Sequence, residues 1–161
     1  MVEVQVIIEQ VRSATVVIAT GPPGRGQPKG SGFFIAPGRV LTCAHVVEEA
    51  GNDLFVWWFD KYAPAKVHQS TPRPAIGEAR QGDAAVLYVE SEDHACVPLA
   101  PGPAQVEDRV WVYGVSKVRG GRERPVEFDG ALLDISATPV AQGEVKAPYL
   151  TRHHSTLHCS N

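Results

Sequence analysis

Sulfur and aromatic residues are scarce in this chain of 161 residues, and neither sign of charge dominates it. There is one methionine, 3 cysteines and an aromatic share of 7%, with 15 Lys+Arg against 18 Asp+Glu. Each shortage excludes something. Cys43, Cys96 and Cys159 are odd in number and have no paired spacing, which points to reduced thiols in a cytoplasmic setting over a disulfide framework. No apolar run approaches the roughly 18 residues needed to cross a bilayer as a helix, which removes a membrane partner of that kind. The opening Met1-Val2-Glu3-Val4-Gln5 lacks a basic segment followed by an apolar one, so no secretory leader is read in it. A formal net charge of −3 argues against nucleic acid, because phosphate binding needs a concentrated cationic surface. The densest basic cluster is Lys117, Arg119, Arg122 and Arg124 around Gly120 and Gly121, which reads as a solvated hairpin tip. Helical periodicity and internal repeats are nearly absent as well.

What the chain has in excess is turn formers. Gly 15 and Pro 13 exceed the roughly 12% that the two residues usually supply together, and they are spread along the whole length. Between them lie short β-branched or apolar runs: Val4 to Ile8, Thr15 to Ala19, Ser31 to Ile35, Val40 to Thr42, Leu54 to Phe59, Ala84 to Val89, Val110 to Val115 and Val126 to Ile135. Ala36-Pro37-Gly38 has the length of a hairpin turn, and the glycine-rich stretch ending at Gly30 reads as a mobile loop. The one short helix candidate is Ala44 to Ala50, with Gly51 as its stop. The fold class expected is therefore all-β, an antiparallel barrel or sandwich. Pro98-Leu99-Ala100-Pro101-Gly102-Pro103 is the clearest internal boundary, and the length allows one domain or two small packed subdomains.

Two segments carry chemistry. In Gly30-Ser31-Gly32-Phe33 through Leu41-Thr42-Cys43-Ala44-His45-Val46-Val47, two strands and a tight turn deliver a histidine into a short helix. An imidazole on so rigid a mount suits a general base, since its ordinary pKa lets it take and return a proton near neutrality. In Gln81-Gly82-Asp83-Ala84-Ala85-Val86-Leu87, an aspartate stands at the mouth of an apolar strand. Its carboxylate can accept the Nδ1–H of His45, fix the tautomer and stabilise the imidazolium.

On these motifs and in this order, the sequence resembles the trypsin-like (chymotrypsin-fold) serine peptidases, particularly the bacterial trypsin-like peptidase domains, over roughly residues 10 to 140. The resemblance implies two antiparallel β-barrels with the active site between them, His45 as general base and Asp83 as its orienting partner. It implies a first barrel over residues 1–97, a linker over 98–104, and part of a second barrel over 105–145, with residues 146–161 an off-pattern, disordered tail. Neither a cofactor nor a metal is expected, and the partner is a protein or peptide substrate. Further domains in a longer chain would match the bacterial relatives.

The family pattern also needs a nucleophilic serine in a Gly-x-Ser-Gly turn, whose glycines let backbone N–H groups converge on the oxyanion. Ser91, Ser116, Ser136, Ser155 and Ser160 follow Asp83, and none has a glycine neighbour. Ser155 stands nearest the expected place without the neighbours that build an oxyanion hole, so the nucleophile is unassigned and the second barrel reads as cut short. His154, His158 and Cys159 would suit a metal only if helical, and a loose tail is the plainer reading. Cys43 reads as a small buried residue of the strand, and Trp57 and Trp58 as one core and one half-covered side chain. Two functions follow. One is a serine endopeptidase domain that holds base and orienter and is inactive as written. The alternative is an inactive pseudo-peptidase that binds peptides or regulates.

Overall fold

The computed structural model describes residues 2–71, 82–102, 105, 108–117, 123–132 and 150–151. Strands dominate, as the turn spacing predicts. β1 (Thr15–Thr20), β2 (Gln27–Ala36), β3 (Arg39–Thr42), β4 (Leu54–Trp58), β5 (Lys61–Thr71) and β6 (Ala84–Val89) close into an antiparallel barrel in the order β1-β2-β3-β6-β5-β4. Helix α1 (Val2–Ala14) precedes the barrel and α2 (Ala44–Ala50) lies between β3 and β4. A second, three-stranded sheet follows, with β8 (Glu123–Leu132) between β7 (Arg109–Lys117) and β9 (Leu150–Thr151).

Alternation fills the barrel. Leu54, Val56 and Trp58 point inward from β4, and Ala85, Leu87 and Val89 from β6, to meet Val16, Ile18, Phe34 and Val40. Each large side chain so buried contributes about 1.5–3 kcal/mol. Phe34 lies at the centre, edge-on to Trp58 at 5.5 Å between ring centroids and stacked on the His94 ring at 3.4 Å. β1 is buried on both faces, Val16 and Ile18 within the core and Val17 and Ala19 on the other side.

Three local expectations are corrected. Val4 to Ile8, expected as a strand on its β-branched residues, lies within α1. Ile8 and Ala14 are buried, while Val4, Val6 and Ile7 stay exposed. Side chains bond along it, Gln5 to Glu9 at 3.3 Å and Arg12 to Glu9 at 2.6 Å, and Gln10 Nε2 donates to the Cys96 carbonyl at 2.7 Å, which ties the helix to the segment after β6. Tertiary contact thus overrides strand propensity.

The supposed mobile loop up to Gly30 is a hydrogen-bonded turn, with Gly26 N–H donating to the Pro22 carbonyl at 2.7 Å and Gly21 N–H to the Asp53 carbonyl at 2.8 Å. β2 begins already at Gln27.

β5 has no counterpart among the expected strands, because its side chains are almost all exposed and Pro64 interrupts it. Residues Lys61 to Pro64 pair with β4 and residues from Ala65 onward pair with β6, so Pro64 stands where the strand changes partner, a place that tolerates a missing N–H. The remaining barrel strands and α2 fall where the sequence places them.

In the second sheet, β7 and β8 pair from Arg109↔Ala131 to Lys117↔Glu123, so the basic cluster borders a hairpin whose tip lies outside the described residues. Leu150 and Thr151, within the stretch read as a tail, pair with Leu132 and Ala131. The rest of that stretch, including Ser155, His154, His158 and Cys159, lies outside the described residues. β7 packs near β2: a Cβ on Gly114 would lie 3.1 Å from Ser31 Oγ.

Candidate active site

β3 ends at Thr42, whose buried hydroxyl donates to the Ser31 carbonyl at 2.9 Å and pins the strand to β2. The chain then passes Cys43, in extended conformation at φ −82° and ψ 144°, into α2. Ala44, Val46, Val47 and Ala50 form the buried face of this short helix, which leaves His45 pointing away from the core. Val46 rests on Gly30 so closely that a Cβ there would lie 2.8 Å from Val46 Cγ2. Gly51 ends the helix at φ 65°, with its N–H donating to the Val47 carbonyl at 3.0 Å.

Asp83 reaches the histidine from the start of β6. Its backbone has φ 63°, the left-handed region that aspartate enters more readily than most residues and that is often occupied at functional sites. From there Oδ1 accepts the backbone N–H of His45 at 3.0 Å, and the carboxylate meets the imidazole Nδ1 at 3.0 Å through Oδ1 and 2.9 Å through Oδ2. A carboxylate only accepts, so Nδ1 carries the ring proton and Nε2 is the basic nitrogen. The side chains of His45 and Asp83 remain 39% and 25% exposed, respectively, so the pair is reached by solvent.

Cys43 departs from its expected place. It is exposed and not buried, and a histidine nitrogen, its Sγ and an Asp83 oxygen all lie within 4.8 Å of one another. Burial is expected from the small apolar character of cysteine, but β3 turns Val40 and Thr42 inward, so the next position, Cys43, faces outward at the junction with α2. The only sequence signal for this proximity is its position two residues before His45. Trp58 lies in the core and Trp57 is half-buried, its Nε1–H donating to the Gly21 carbonyl at 2.9 Å. Trp57 also borders a cavity of about 480 Å³ with Arg12, Phe59, Tyr62 and Tyr113, a lining that includes neither His45 nor Asp83.

A closed six-stranded antiparallel barrel is consistent with a trypsin-like fold. Residues 30–160 match the model of the trypsin-like peptidase domain, and the chain belongs to that family. No curated protein matches the chain in sequence. Among solved structures it is similar to the MamO protease domain from Magnetospirillum magneticum, with 20% identity, a TM-score of 0.59, and coverage of 84% of this chain and 68% of that one. A mutant of Rv3671c from M. tuberculosis in its inactive form shares 24% identity at a TM-score of 0.54, over 88% of this chain and 64% of that one. The serine endoprotease from Yersinia pestis shares 18% at 0.55, over 80% and 43%. At these identities the likeness is one of fold, and the chain spans under two thirds of the length of the last two.

Proposed function

We propose that this chain carries the base and orienting carboxylate of a serine endopeptidase, with His45 and Asp83 in those roles and a protein or peptide as substrate. The observation that carries the reading is the double grip of Asp83 on His45. One carboxylate fixes both the backbone and the ring of the histidine, which leaves Nε2 as the proton acceptor. In the reaction, Nε2 takes the proton of a serine hydroxyl as its oxygen attacks the peptide carbonyl. The resulting imidazolium, stabilised by Asp83, then returns the proton to the leaving amine. The barrel would be the unit of residues 1–97, joined by a linker over 98–104 to a second unit that begins at 105, and the chain would work in the cytoplasm.

The sequence supplies no glycine-flanked serine after Asp83, and this favours a second reading, a peptide-binding module without turnover. A fluorophosphonate probe, which labels only activated serines, separates the two. The chain of 161 residues should stay unlabelled. A version extended by a segment that carries Gly-x-Ser-Gly should label at that serine, and His45→Ala should abolish the labelling. An extended chain that folds, as judged by circular dichroism, yet stays unlabelled while still binding peptides supports the module. Labelling of Ser155 in the original chain, lost in His45→Ala, overturns the inactive state.

A further inference from the structure

We propose that Cys43, His45 and Asp83 form a binding site for a soft divalent cation, zinc being the best fit, and that its occupancy switches off the histidine base. The consequence for catalysis rests on the peptidase reading, whereas the binding itself does not.

The three side chains offer one sulfur, one nitrogen and one oxygen donor, all within 4.8 Å of one another. Bonds of about 2.0–2.3 Å in tetrahedral array put ligand atoms roughly 3.3–3.8 Å apart, so small side-chain rotations close the cluster around one ion. The separation of 2.9 Å between Nδ1 and Oδ2 needs only to open slightly. A thiolate with an imidazole and a carboxylate suits zinc, whereas magnesium and calcium prefer oxygen alone. Three protein ligands leave the fourth position to water, and the exposed Cys43 gives the ion its route in. The donors sit on two rigid pieces, the junction of β3 with α2 and the start of β6, so the site is largely formed before the ion arrives.

Nδ1 is the ring nitrogen that faces the Asp83 carboxylate, and coordination through it uses the lone pair of that nitrogen. The ring proton, held on Nδ1 by Asp83 in the metal-free pair, must then reside on Nε2. Nε2–H cannot accept a proton from a hydroxyl, so the metal removes the base. The thiol proton passes to solvent, and the ring proton is transferred between nitrogens through water, so one proton is released for each ion bound. No oxidant or other reactant is needed.

The test uses the full chain with zinc by calorimetry and with cobalt by absorption spectroscopy. One equivalent of zinc should bind, with weaker affinity by roughly tenfold or more in Cys43→Ala and in Asp83→Asn. Cobalt should give a thiolate charge-transfer band that Cys43→Ala and Cys43→Ser both lose, with the fold of each variant checked by circular dichroism. A variant with His154, His158 and Cys159 all replaced by alanine should keep both signals. Long-range nitrogen–proton correlation spectra should show the His45 proton move from Nδ1 to Nε2 when zinc is added. Unchanged zinc affinity and an intact thiolate band in Cys43→Ala would overturn the proposal, as would loss of both with the tail variant. None of these readouts involves peptide cleavage, so their failure is distinct from failure of the peptidase reading.

Discussion

The carboxylate of Asp83 bonds to one residue twice, to the backbone N–H of His45 at 3.0 Å and to its Nδ1 at 2.9 Å. The first bond holds the start of α2 and the second holds the ring. Asp83→Ala removes both and places a residue without a carboxylate at φ 63°, so it should lower stability by about 1–2 kcal/mol in urea denaturation. Asp83→Asn keeps a side chain that tolerates that backbone and should lose less. In nitrogen–proton correlation spectra, Asp83→Ala should also release His45 to a mixture of tautomers, and a ring that remains wholly Nδ1–H would show that something else orients it.

Gly30 sets how closely α2 approaches the barrel. A Cβ at that position would lie 2.8 and 2.9 Å from the two Cγ atoms of Val46, closer than real contacts allow. Gly30→Val should therefore shift α2 and weaken the His45–Asp83 bond, at a cost of roughly 1–3 kcal/mol from overpacking. Gly30→Val with Val46→Ala should recover much of that loss. The measurement is a double-mutant cycle by denaturation, and strict additivity would contradict this contact.

The Cys96 thiol is pushed above its ordinary value of 9.0 by burial. In the unfolded chain the thiol ionises around 9.0, while in the folded chain it keeps its proton to higher pH, so the unfolded state gains by deprotonation. Stability contributed by Cys96 should be fully present below pH 9.0 and decline as pH rises beyond it, and Cys96→Ala should flatten that decline. At neutral pH, iodoacetamide should modify the exposed Cys43 well before Cys96. Equal alkylation rates would contradict the protection of Cys96.

Among the described residues the strands β1 to β6 close into a barrel with no unpaired edge, whereas the sheet β7-β8-β9 is open. Edge closure protects backbone from local opening. Limited subtilisin digestion should therefore cut first on the C-terminal side of Pro98 and leave a resistant fragment that contains α1 and the barrel. A first cut between β1 and β6, with residues 105 to 161 left whole, would place the sturdier unit on the other side of the linker.

Much of this was legible without coordinates because it rests on short-range rules. Alternation in Leu54–Trp58 and Ala84–Val89, the turn at Ala36-Pro37-Gly38 and the helix stop at Gly51 each have a local cause, and each element lies where its residues put it. The pair of His45 with Asp83 was legible for a different reason: the motifs around them, in that order, resemble a known family, and they place the histidine in the short helix just after one strand and the aspartate just before another. Tertiary structure decided what local preference states wrongly or not at all. The β-branched residues of α1 favour a strand, yet the segment is a helix that contacts β2 and β7 and buries Ile8 and Ala14. The polar β5 forms because β4 and β6 each offer it an unpaired edge, a force that no residue within β5 displays. Cys43 comes within reach of His45 and Asp83 because β3 and β6 pair side by side, Thr42 opposite Ala85, and so bring the two ends of distant segments to one spot. Sequence spacing carries no trace of that pairing, since the register between two strands is fixed by what each must bury and not by how far apart they lie along the chain.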